Sequence, residues 1–169
     1  MPVVAHDPAW ALGYAAEADA ITQALPGQLL ALHHIGSTAI PDILAKPIID
    51  MLAVVRNLDA LDAASPALAE LGYQVMGEFG IAGRRYFRKD DPAGCRTHHL
   101  HGFADGSPHI RRHLAFRDYL RMHPSIAADY SALKHRLAAS PDSYVEGKAP
   151  FVLETEAAAL AWYASHQSY

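Results

Sequence analysis

The feature that most restricts this chain is the run Pro47-Ile48-Ile49-Asp50-Met51-Leu52-Ala53-Val54-Val55. It is apolar almost throughout, which reads as a central strand with both faces buried. Asp50 alone interrupts it. A carboxylate inside such a strand is costly unless it is paired or bound to a cation. One reading gives Asp50 a loop to cap or a partner such as Lys46. The other makes it a metal ligand, with a catalytic role, at the edge of a cleft. Thirteen residues ahead of it stands Ser37, in Gly36-Ser37-Thr38. Glycine permits a sharp turn and a close approach to a ligand. The N–H groups that follow, with the two hydroxyls, can cradle a phosphate. Alone such a tripeptide is a weak signal, but ahead of a buried strand Asp it is more specific.

The rest of the chain supplies a frame for these two elements. Asp7 and Pro8 start a helix that runs to Ala24 and stops at Pro26-Gly27. Leu29 to Ile35 reads as a strand. Leu58 to Leu71 is an amphipathic helix ended by Gly72, and Tyr73 to Met76 is a short strand. Arg84 to Lys89 and Arg96 to Phe103 form a hairpin across the turn residues Asp90 to Gly94. Helices are expected at His109 to Met122, Pro124 to Ala139 and Phe151 to Ser165, with a loop or broken helix from Pro141 to Pro150. The 169 residues suit a single α/β (α+β) domain, 1–169, in which helices flank a mixed sheet.

Composition narrows the function. Apolar residues make up 51% of the chain and charged residues 19%, so it is globular. The one cysteine, Cys95, allows no internal disulfide, which suits a cytoplasmic location. No signal peptide is expected at Met1 to Trp10, and no apolar run reaches the roughly 20 residues of a membrane span. The net charge is -4, yet the segment from Arg84 to Arg121 carries nine basic and four acidic residues and five of the 11 histidines. This local field within an acidic chain suits a small anionic ligand better than nucleic acid.

His99 and His101 lie two apart on a predicted strand and project from one face; His98 and Leu100 project from the other. If that strand lies beside the one bearing Asp50, two imidazoles and a carboxylate meet, a set suited to Zn, Mn, Fe or Ni and less natural for Mg. His34 is a further candidate ligand or general base. Arg84, Tyr86 and Arg88 share one strand face, and the sequence leaves open which face lines a cleft. Lys148, ahead of an apolar helix, is in reach of a phosphate.

These motifs resemble the GrpB family. The match is carried by Asp7-Pro8-Ala9-Trp10, His34 to Pro41, Lys46 to Asp50, Gly83 to Lys89, Arg96 to His101, His113 to Arg121 and Glu146-Gly147-Lys148, and covers nearly the whole chain. The resemblance implies the nucleotidyltransferase fold, and related domains occur fused to dephospho-CoA kinase. In that superfamily a Gly-Ser holds the nucleotide phosphates, and an Asp-x-Asp or Asp-x-Glu strand holds two metals. Here the second acid is replaced by Leu52, and the strand that often offers a third acid carries His99 and His101. The expectation is a nucleotidyltransferase-like enzyme acting on a small molecule. Gly36, Ser37, Thr38, Lys46, Arg84 and Lys148 would bind phosphate, and Asp50, His99, His101 and His34 would hold a divalent metal (Mg, Mn, Zn or Ni). Its partners would be a nucleoside triphosphate, an anionic small molecule, or both, and a second copy of the chain in a homodimer. The alternatives are a metal- and anion-binding hydrolase or sensor, and an inactive interaction module.

Overall fold

The computed structural model describes residues 2–166. The elements, in chain order, are α1 (Ala9–Ala24), β1 (Leu29–Ile35), β2 (Ile49–Val55), α2 (Leu58–Glu70), β3 (Tyr73–Val75), β4 (Arg84–Asp90), β5 (Arg96–Ala104), α3 (Pro108–Met122), α4 (Pro124–Leu137) and α5 (Tyr144–His166). The five strands form one mixed sheet in the order β1-β2-β5-β4-β3. Strand β2 runs antiparallel to β1 and parallel to β5. The β4–β5 hairpin is antiparallel, as expected.

Local chemistry sets the element ends. The Asp7 carboxylate accepts from the Ala9 N–H at 2.9 Å and opens α1. Asn57 does the same for α2 through the Ala60 N–H at 2.7 Å. The Ser107 hydroxyl accepts from the N–H of His109, with Pro108 at the first position of α3.

Alternation along β2 divides the core. Met51, Ala53 and Val55 pack with Ile21, Leu61 and Phe87 under α1 and α2. Leu52 points the other way, against Ile35 and Phe103, where Ile110 and Leu114 of α3 cover it. A further cluster, Ile40, Ile43, Leu120, Ala127 and Tyr130, joins α3 and α4 to the segment after β1.

One expectation is corrected. The stretch Pro141 to Pro150, expected as a loop or broken helix ahead of a helix at Phe151, is a short 3-10 turn at Pro141–Ser143 followed by helix α5, which already runs from Tyr144 through Pro150. Proline removes one backbone donor, but packing on both sides holds the helix. Phe151 stacks on Tyr130 at 5.0 Å, and Trp162 meets Tyr119 edge-on at 5.7 Å. No helix among the described residues is long and apolar enough to cross a membrane.

Candidate functional site

Parallel pairing of β2 with β5 places Asp50 beside His99, and Leu52 beside His101. One oxygen, Asp50 Oδ1, lies 3.1 Å from His99 Nδ1 and 3.4 Å from His101 Nε2. One ligand atom from each residue falls within 4.8 Å of the others, the reach of a single bound cation. Burial alone would raise the Asp50 pKa, but hydrogen bonds from His101 and His99 outweigh it and hold the carboxyl well below its usual range. Asp50 is therefore ionised at neutral pH.

Gly36 is fixed by this carboxylate. Its φ of +72° is unfavourable for other residues. A β-carbon there would also sit 2.7 Å from Asp50 Oδ2. The turn it makes leads into Ser37 and Thr38, and α3 secures it from the far side. Arg117 Nη1 donates to the His34 carbonyl at 3.1 Å, and Arg121 Nε to the Ala39 carbonyl at 2.8 Å.

One of the expected roles meets a different geometry. The His34 ring is not brought to Asp50. It is paired in register with Met51, so it faces the α1 side of the sheet. There it stacks on Tyr14 at 4.8 Å, and its Nε2 meets Thr38 Oγ1 at 2.8 Å. Burial and the nearby Arg121 push its pKa down to about 4, so the ring is neutral. Thr38 is buried with it; its hydroxyl braces the turn, and the residue also lines a cavity beside Asp50.

Arg84 stands behind His101. Its Nη1 is 3.4 Å from His101 Nδ1, and its other donors reach the carbonyls of Glu78 (3.1 Å) and Phe79 (2.7 Å). Arginine has no acceptor, so His101 Nδ1 is the acceptor of that pair, and its Nε2–H donates to Asp50. The face bearing Arg84 and Tyr86 is therefore the one turned to the site. Arg85, on the opposite face, pairs with Asp62 of α2 at 2.7 Å.

A cavity of about 250 Å³ opens on one side of Asp50. Ser37, Asp50 and His99 line it together with three lysines, Lys46, Lys134 and Lys148. Lys46 and Lys148 lie over the Tyr144 ring, at 4.4 and 5.1 Å, and Lys134 over Tyr130 at 4.2 Å. Lys134 donates to Ser37 Oγ and, at 3.1 Å, to the Leu44 carbonyl. Among the described residues the ion pairs all fall on other side chains, so no acid neutralises this trio directly. Burial, with the Lys148 and Lys46 charges, brings the Lys134 pKa down to about 7 against the pull of Asp50.

A second cavity, of about 220 Å³, shares Asp50 and Lys148 with the first. Ile35, Phe116 and Val152 give it apolar walls, and Arg112 and Glu156 charged ones. Arg112 donates to Glu156 at 3.1 Å, and its Nη2 lies 3.2 Å from His109 Nδ1 and 3.3 Å from His113 Nε2. Burial, then the Arg112 charge, pushes the His113 pKa down to about 3.

Lys134, Arg112, His113 and Glu156 escape a reading of the sequence. Lys134 leaves one trace. It continues the buried stripe Ala127, Tyr130, Lys134 at helical spacing, where solvent-facing lysines do not belong.

A family model described as GrpB protein matches residues 1–158. The UPF0157 protein YqkA of Bacillus subtilis is 44% identical over 164 residues, covering 95% of this chain and 47% of that protein. The chain thus spans about half the length of that relative. A dephospho-CoA kinase of Mycobacterium leprae is 30% identical over 193 residues, covering 95% of this chain and 46% of its own. The crystal structure of the conserved protein GrpB from Enterococcus faecalis superposes with a TM-score of 0.90 at 41% identity, over 96% of this chain and 99% of that one. A structure of Cid1, a poly(U) polymerase, matches with a TM-score of 0.56 at 12% identity, over 80% of this chain and 44% of its own. That likeness is one of fold, and the fold is that of nucleotidyltransferases. On these grounds the chain belongs to the GrpB family.

Proposed function

We propose that this domain binds a phosphorylated small molecule beside Asp50 and transfers a phosphoryl or nucleotidyl group from it to a small acceptor. The observation that carries this reading is the cavity shared by Ser37, Asp50 and the three lysines. Lys46, Lys134 and Lys148 would take the phosphate charge, with the Gly36-Ser37 backbone against the same group.

One carboxylate and two imidazoles fit a single divalent ion of the Zn, Mn or Ni type better than Mg. Held by Asp50, His99 and His101, such an ion would neutralise charge developing on phosphate oxygens. Binding through His101 Nε2 would shift the ring proton to Nδ1 and release the Arg84 hydrogen bond, and the lysines would fix the anion against that centre. The Arg112–Glu156 cavity, which shares Asp50 and Lys148 with the lysine cavity, would seat the acceptor.

The test is to incubate the protein with each nucleoside triphosphate, divalent metals and a pool of small acceptors, following phosphate and pyrophosphate release. Turnover that disappears in Asp50→Asn is expected. Absence of turnover, together with absence of triphosphate binding by calorimetry, overturns the proposal.

Leu52 favours a second reading. It occupies the place of the second acid and is fully buried against Ile35 and Phe103. The Arg84–His101–Asp50 chain of hydrogen bonds is also complete with protein atoms alone. Under this reading the domain binds its anion without transferring it. Triphosphate binding with no turnover across the acceptor pool would select it. An Asp50→Asn variant unaltered in every binding assay would point instead to an interaction module.

A further inference from the structure

A larger cavity, of about 630 Å³, adjoins the lysine cavity. Lys46 and Tyr144 line both. The remaining wall comes from Val3, His135, Ala138 and their neighbours, and is mainly apolar. The N-terminal segment is held there by a two-way bridge: Val4 N–H donates to the Ala45 carbonyl at 2.8 Å, and Ala45 N–H to that of Val4 at 3.0 Å. Ala45 is the residue next to Lys46, so the bridge sets the distance between the cavity and the cationic group.

The two cavities differ in chemistry. One presents three amino groups, a hydroxyl and the Asp50 site. Apart from Lys46 at the junction and the His135 ring, the other presents methyls, two prolines and the rim of a tyrosine. An inorganic anion would use only the first. A molecule spanning both needs a charged end and an apolar end joined near Lys46. We infer that the ligand is an organic phosphate whose phosphate rests on the lysines and whose largely apolar or aromatic substituent fills the larger cavity.

This rests on the reading that the lysines hold phosphate, and the experiment separates the two. Binding of inorganic phosphate and of 1-naphthyl phosphate is measured by calorimetry in wild type, Ala138→Trp, Val3→Trp and Lys134→Met. The tryptophans fill the larger cavity from two separate segments of its lining, and thermal unfolding near that of wild type shows that each variant is folded. Naphthyl phosphate is expected to bind wild type at least about tenfold more tightly than inorganic phosphate. Both tryptophan variants should lose that advantage and keep their affinity for inorganic phosphate, while Lys134→Met should weaken both ligands. Equal affinity of the two ligands in wild type, or an advantage that survives both tryptophans, overturns the inference and leaves the phosphate reading standing. Failure of both ligands to bind wild type overturns the phosphate reading and this inference with it.

Discussion

Lys134 and Gly36 show how single residues set the behaviour of the site. With a pKa of about 7 when folded, Lys134 is largely neutral above that pH, whereas in the unfolded chain it stays protonated to the ordinary lysine range. The unfolded state then binds more protons, so Lys134 makes stability rise with pH between about 7 and 10.5. Chemical denaturation of wild type and Lys134→Met across that window should show wild type gaining relative to the variant as pH rises. An anion on the lysines favours the charged amine, so phosphate binding above pH 7 should take up protons. Calorimetry in two buffers of different ionisation enthalpy measures that uptake. Gly36→Ala places a β-carbon against the Asp50 carboxylate at positive φ. A loss of roughly 1–3 kcal/mol is expected from the backbone alone, together with weaker phosphate binding. Thermal unfolding and phosphate titration of the variant check both.

The strands and helices carried different amounts of information in the sequence. Asp50 was legible because a charge inside an apolar strand demands a partner, and His99 and His101 because period-two spacing sets both on one face. Their meeting was conditional, since it depends on β2 lying beside β5, and no local pattern reports which distant strands pair. Lys134 was hidden for another reason. A lysine on a helix ordinarily extends into water, and only the packing of α4 against the Gly36 turn buries this one. The extent of α5 was missed because Pro150 reads as a break, while the stacking that sustains the helix comes from α4 and α3. The second acid of the superfamily pattern invites a repair experiment, Leu52→Asp. Leu52 is sealed under α3 among Ile35, Phe103, Ile110 and Leu114. A carboxylate there would lose apolar packing, and its neighbour in register, His101, is already held between Asp50 and Arg84, so the cost is more than about 3 kcal/mol. The expected result is a destabilised protein with no gain in metal binding, read by denaturant melts and metal titration.

Across the whole molecule the charge pattern takes on a different meaning. The basic segment from Arg84 to Arg121 is largely neutralised by local pairs: Arg85 with Asp62, Lys89 with Glu17, Arg96 with Asp90, Arg112 with Glu156 and Arg117 with Asp118. These tie strands and helices together. At the site the positive charge without an ion-pair partner comes from Arg84 of that segment and from Lys46 and Lys148 outside it, with Lys134 adding its own once an anion favours the charged amine. A saturating anion should therefore stabilise the fold through residues of the β1–β2 connection, α4 and α5 at once. At a ligand concentration of 100 times Kd the gain is about 2.7 kcal/mol. Thermal unfolding with and without phosphate measures it, and Lys134→Met should abolish most of the gain.

The parallel pairing of β2 with β5 has a kinetic consequence. Asp50 and His99 are neighbours in space but 49 residues apart in sequence, with α2, β3 and β4 strung between them. The β4–β5 hairpin can form locally, yet it brings only the histidines into place. Asp50 joins them when that long loop closes, a step that costs chain entropy before any contact repays it. The cluster is thus absent from any partly folded chain that has only its hairpin, and its appearance during refolding would time the closure of the centre of the sheet.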